Sequence, residues 1–156
     1  VIVTTRWEGP LDVASLQDVG VTTFKRTVSP SGTVPIDGLV TVEFTVQLAA
    51  DADASCWQVT DLVPSGLAPI WGRRDMYEDE DGDESSAVGA VGPWRIEGQR
   101  VDFCVSLDPR TPIHHLRYVA RVVTPGTYRW EPAVIQSSIV LEHGKVLPAQ
   151  ELVIDR

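Results

Sequence analysis

The chain reads as an all-β protein, an antiparallel β-sandwich of about nine short strands. Three observations point there. Leu39 to Leu48 alternates strictly, with Val40, Val42, Phe44, Val46 and Leu48 on one face and Thr41, Glu43, Thr45 and Gln47 on the other. Such a period-2 pattern belongs to a strand with one buried and one solvated face. Other short β-prone stretches recur between Gly- and Pro-containing turns, and helical periodicity is almost absent.

The elements follow in chain order. Val1 to Trp7 is β-prone and stops at Glu8-Gly9-Pro10, so residues 1–10 read as an edge strand or a linker. Residues 11–156 read as one sandwich domain with an acidic loop at 72–92. Leu11 to Asp18 fits a short turn of helix at most, and Val21 to Val28 a strand. Ser29-Pro30-Ser31-Gly32 is loop chemistry. After Leu39 to Leu48 comes a strand at Ser55 to Asp61, then a turn at Val63-Pro64-Ser65-Gly66-Leu67 that ends in a hydrophobic plug. Trp94 to Ile96 and Val101 to Leu107 form a hairpin about Glu97-Gly98. Leu116 to Ser138 reads as a second hairpin, with Tyr118, Ala120 and Val122 on one face. Pro125-Gly126 occupies the centre of its type II turn, because proline presets φ and glycine accepts a positive one. Leu152 to Ile154 closes the set.

Charge narrows the partners. The net charge is −9, but seven acids lie between Asp75 and Glu84, and without them 15 acids face 13 bases. The acidity belongs to one segment. A chain without a basic patch is a poor partner for nucleic acid. No apolar run reaches the length of a membrane span, and no signal-peptide pattern follows Val1, so direct membrane insertion is not expected.

Cys56 lies opposite the apolar set Trp57 and Val59, and Cys104 lies opposite Val101, Phe103 and Val105. If the two strands are neighbours, both sulfurs project from one side and a cross-strand disulfide is possible. Closing a loop of roughly 49 residues stabilises by about 4 kcal/mol in the chain-entropy description. Such a bridge favours an extracytoplasmic setting. The alternative is two free thiols.

The remaining chemistry is sparse, and no cofactor is implied. Placing Gly82 at the turn glycine of an EF-hand puts Asp79 and Asp81 in register, but Tyr77 and Val88 fall where the first and last ligands belong. The segment reads as a solvated loop rather than a metal site. His114 and His115 point to opposite faces of a strand and cannot share one ion, while His143 sits beside Gly144 in a turn. No nucleophile elbow or phosphate-binding loop is present, so the chain is not expected to be an enzyme. Of five tryptophans, Trp71 and Trp130 stand next to loops and turns and are the candidates for interdomain contacts, with core packing as the alternative.

Two segments together carry a resemblance. Cys56-Trp-Gln-Val-Thr-Asp-Leu-Val-Pro-Ser-Gly-Leu67 resembles the Asp-x-Leu-Pro-x-Gly-Leu strand and turn of the C-terminal domain of bacterial α2-macroglobulin-like proteins. Tyr118 to Ala133 is similar to that domain's Tyr-x-x-Arg-x-x-x-Pro-Gly-x-Tyr-x-x-x-Pro-Ala pattern. The resemblance covers roughly Val21 to the end of the chain. It implies a macroglobulin-like, Ig-like sandwich, non-catalytic, within a bacterial cell-envelope or extracellular inhibitor that entraps proteases after a bait region is cut. The partners implied are neighbouring domains of the parent chain and, through the parent, proteases. Many bacterial members carry Met-Tyr after the Pro-Ala, the tyrosine shielding a thioester; here that neighbourhood reads Gln136-Ser137-Ser138. The competing class is an extracellular adhesive module that binds protein or glycan through its loops.

Overall fold

The computed structural model describes residues 15–71 and 90–155. These form strands, turns and bends arranged in three sheets. The first sheet has six strands, ordered β1 (Gln17–Asp18), β13 (His143–Val146), β12 (Val134–Ser137), β5 (Trp57–Leu62), β9 (Arg100–Val105) and β8 (Arg95–Glu97). The second is ordered β2 (Val21–Ser29), β4 (Leu39–Leu48), β10 (Ile113–Val122) and β6 (Leu67–Ile70), with β7 (Ala90–Val91) also pairing β10. The third is β11 (Gly126–Trp130), β14 (Gln150–Asp155) and β3 (Val34–Pro35). The architecture is the expected β-sandwich. Pairing is antiparallel except at β1–β13, β10–β7 and β14–β3.

The alternating strand lies at the centre of the second sheet. β4 pairs β2 on one side and β10 along nine register positions on the other. Val40, Val42, Phe44 and Val46 are fully buried, while Thr41, Glu43, Thr45 and Gln47 are only half-buried. The apolar face meets that of β5 and β9, which supply Trp57, Val59, Val101, Phe103 and Val105 to the same core. Aromatic rings run through the interior: Phe24 meets Phe44 at 5.7 Å within the second sheet, and Phe103 of the first sheet meets Phe44 at 6.1 Å and Tyr118 at 6.2 Å across the layers. Fully burying one such side chain contributes about 1.5–3 kcal/mol, so this interior drives the fold.

The β8–β9 hairpin forms as expected, turning at Gly98-Gln99 with Gly98 at φ +57. Gln99 does more than turn. Its Nε2 donates to the carbonyls of Val63 (3.1 Å), Pro64 (2.8 Å) and Leu67 (2.8 Å), and so fastens the neighbouring Pro64 turn.

The second expected hairpin is not one. β10 lies in the sheet of β4, whereas β11 pairs β14 in another sheet. The break is made by a distant carbonyl. The amides of Val123 and Thr124 donate to the Gly66 carbonyl at 2.9 and 3.4 Å, which carries the chain off the ladder of β10. Gly126 then adopts φ +147, far from the roughly +80° of a type II turn. Other differences are smaller. The described end of the expected helical turn, Gln17–Asp18, is strand, and His143 begins β13 rather than a turn. β6 is a further strand beyond the Pro64 turn, and it lies at a sheet edge, where the missing N–H of Pro69 is tolerated. The linker or edge strand at 1–10, and 72–89 of the acidic loop, lie outside the described residues.

Candidate functional site

On the inner face of β5 the alternation Trp57, Val59, Asp61 ends in a carboxylate, and on β2 the alternation Phe24, Arg26, Val28 includes a guanidinium. A charge on an apolar face must find a partner or remain unfolded, because burying it alone is very costly. These two find each other. Arg26 Nη1 lies 2.6 Å from Asp61 Oδ1, with both side chains fully buried. The Tyr118 hydroxyl donates to Asp61 Oδ2 at 2.6 Å, and the Trp130 indole donates to Oδ1 at 3.1 Å. Arg26 also donates through Nε to Gln150 Oε1 at 3.0 Å and through Nη1 to the Glu131 carbonyl at 3.2 Å, while its guanidinium stacks 4.7 Å from the centre of the Trp130 ring.

The cluster therefore draws Asp61 from the first sheet, Arg26 and Tyr118 from the second, and Trp130 and Gln150 from the third. It is the polar joint of all three. Burial pushes the Asp61 carboxyl above its ordinary 3.8, against the pull of Arg26, Tyr118 and Trp130. Arg26 and the Trp130 indole can only donate, both to Oδ1, and the guanidinium 2.6 Å away supplies the charge that a carboxylate balances. Burial, with the Asp61 charge beside it, holds the Tyr118 phenol well above 10 and therefore neutral. Such a joint braces the three sheets against one another.

The two sequence segments that carried the resemblance meet here. Asp61 accepts from Tyr118, and Gly66 lies beneath the ring of Tyr128, where an added Cβ would come within 2.6 Å of Cζ and 2.8 Å of Ile154 Cδ1. Tyr128 in turn donates to the Thr124 carbonyl at 3.0 Å, closing the corner that leads out of β10.

Cys56 and Cys104 are joined by a disulfide, with Cα atoms 5.5 Å apart. Beside it on β9, Asp102 is fully buried between Arg95 Nη2 at 2.7 Å and Arg100 Nε at 2.8 Å, and accepts from the Thr60 hydroxyl at 2.7 Å. Trp71 is exposed, at 59%. Trp130 is not, which corrects its expected place at the surface: at 1% exposure, with its indole bound to Asp61, none of the ring is left for a neighbouring domain. His114 is half-buried, its pKa lowered below 6.5 by desolvation. His143 Nδ1 lies 2.8 Å from Asp53 Oδ2. The Gln136-Ser137 segment is structural: Gln136 Nε2 donates to the Leu141 carbonyl, and Ser137 Oγ accepts from the amides of Ile139 (3.3 Å) and Val140 (3.2 Å). Sequence reasoning missed Arg26 and Asp61 as a pair, although each stood as a charge on an alternating apolar face.

The family model for the bacterial alpha-2-macroglobulin MG10 domain matches residues 25–140. The chain belongs to this family. The MG10 domain is also similar in fold to native alpha-2-macroglobulin from Escherichia coli spanning MG7 to the C-terminus, with a TM-score of 0.69, 20% identity, and 90% of this chain against 24% of that one. It is similar to the native conformation of E. coli alpha-2-macroglobulin seen by cryo-EM, with a TM-score of 0.67, 21% identity, and 85% of this chain against 9% of that one. The E. coli protein activated by porcine elastase gives a TM-score of 0.66, 22% identity, and 86% of this chain against 13% of that one. The MG10 domain thus spans less than a quarter of each of these chains. Comparison with curated protein sequences finds no match.

Proposed function

We propose that this MG10 domain is a non-catalytic, C-terminal structural and interaction module of a bacterial alpha-2-macroglobulin-like inhibitor that entraps proteases after bait cleavage. The family match over residues 25–140 carries the reading. In this reading residues 11–156 act as one body in the parent. A part that must be displaced as a unit has to be stiff, because switching between discrete arrangements needs rigid pieces. The Arg26–Asp61 joint, which ties three sheets together, suits that demand. Exposed Trp71 is the residue we assign to contact with a neighbouring domain. The Cys56–Cys104 bridge fits an oxidising cell-envelope or extracellular setting.

The test uses the complete parent protein. Parent and elastase are mixed, and the elastase is then assayed on a large protein substrate and on a short chromogenic peptide. Entrapment blocks the first and spares the second. Equal loss of both activities means ordinary active-site inhibition, and no loss of either removes the inhibitor reading.

A further inference from the structure

Between β3 and β4 the chain passes from the third sheet to the second through Pro35, Ile36, Asp37 and Gly38, a turn closed by the Gly38 amide on the Pro35 carbonyl. Asp37 takes its third position with φ +64, where a type II turn accepts glycine or asparagine. Among the described residues it is the one non-glycine residue with a positive φ. An L residue is held there against the crowding of its own Cβ. The Asp37 carboxylate is exposed and makes no hydrogen bond or ion pair among the described residues. The residue after it is glycine for a structural reason, since a Cβ at Gly38 would lie 3.1 Å from the Pro35 carbonyl oxygen. No other aspartate among the described residues precedes a glycine.

We propose that Asp37 is a modification site, at which the folded domain converts spontaneously to isoaspartate. The Gly38 backbone nitrogen attacks the Asp37 side-chain carboxyl carbon and a C–N bond forms. One carboxyl oxygen leaves as water, with the amide proton and a proton from solvent, and a five-membered succinimide closes. Water then adds to the main-chain carbonyl of Asp37 and breaks its bond to the Gly38 nitrogen, which regains a proton. The chain now runs through Cβ and Cγ, and the former main-chain carbonyl is a free carboxylate. The water lost in the first step returns in the second, so mass is unchanged and no other reactant is needed. Three features of the turn favour this course. Gly38 carries no side chain to hinder approach to its nitrogen. Its amide is held by a bond of 3.4 Å, longer than the usual roughly 2.7–3.2 Å. In the product, the Cβ that opposes a positive φ has become part of the main chain, so the crowding that marks Asp37 is relieved. The extra backbone atom falls next to the Gly38 carbonyl, which accepts the Val122 amide at 3.0 Å and so ties the entry of β4 to the end of β10.

The test holds the folded chain at pH 7, below its melting temperature, and samples it over weeks beside an Asp37→Gly variant. Glycine adopts the positive φ without steric cost and cannot form the ring. Each sample is digested with a protease that cuts before aspartate but not before isoaspartate. A second portion is treated with an isoaspartyl carboxyl methyltransferase and radioactive S-adenosylmethionine, which labels the new carboxylate. The cut before residue 37 should be lost progressively without a change of mass, and label should appear on the peptide that spans this residue. The same peptide of the Asp37→Gly variant should stay unlabelled. Hydrogen exchange at the Val122 amide should be faster in the isomerised fraction than in the fresh chain. An undiminished cut before residue 37 overturns the proposal, and so does label that persists in that peptide of the variant.

Discussion

Replacing Asp61 with asparagine changes one atom of the buried joint and almost none of its volume. The asparagine oxygen can still accept from Arg26 and Trp130, but its amide then faces the Tyr118 hydroxyl, where a second oxygen stood at 2.6 Å. More important, the Arg26 guanidinium keeps its charge at zero exposure with no anion to balance it. Breaking a buried pair from one side costs about 3–5 kcal/mol, because a charge is left behind without compensation. For a domain of this size 1 kcal/mol moves the melting temperature by about 2–4 °C, so the variant should melt about 6–20 °C lower. Tyr118→Phe supplies an internal scale: it removes one hydrogen bond to a charged acceptor and should cost about 1.5–3 kcal/mol. Urea unfolding at pH 7, followed by tryptophan emission, measures both. Were Asp61→Asn to lose less than about 1 kcal/mol, or less than Tyr118→Phe, the Arg26 charge would not be balanced by Asp61, and the account of the joint would be wrong.

Three further outcomes can be checked by the same unfolding curves. Gly66→Ala should lose about 1–3 kcal/mol, since the new methyl meets the Tyr128 ring and Ile154 in a packed interior. Trp71→Ala should move stability by no more than about 0.5 kcal/mol, whereas Trp130→Ala should lose at least about 3 kcal/mol; equal effects would contradict their placement. Cys56→Ala combined with Cys104→Ala should lose up to about 4 kcal/mol relative to the oxidised chain and match the wild type under reducing conditions, because the bridge closes a separation of 48 residues.

Much of the fold was legible because one face of most strands is apolar and the other is not. β4 has the bounds its alternation predicts, and the faces assigned to Cys56 and Cys104 are those that meet in the disulfide. What escaped was the assignment of strands to sheets. Nothing in Val122 to Gly126 announces that the chain crosses from one layer to another, since the deciding acceptor, the Gly66 carbonyl, lies far away in sequence. The two-residue strands β1, β3 and β7 escaped for a related reason: they are defined by a neighbour's free edge and not by their own composition. Proximity to a turn does not tell a buried tryptophan from an exposed one, and Trp71 is exposed whereas Trp130 is buried. The stronger signal was the pair of charges on the apolar faces of β2 and β5, which required buried partners and found one in its indole.

That joint also bears on the order in which the chain assembles. Its bonds span 35 residues from Arg26 to Asp61, 57 from Asp61 to Tyr118, 69 from Asp61 to Trp130 and 124 from Arg26 to Gln150. Closing such long loops before any contact rewards them is slow, while the β8–β9 and β12–β13 hairpins need only neighbouring segments. The hairpins can form first and the joint last. An interaction absent from the transition state leaves the folding rate alone and acts on the unfolding rate instead. The buried ion pair is then a latch against opening, one that sets how long the assembled domain persists rather than how quickly it is reached.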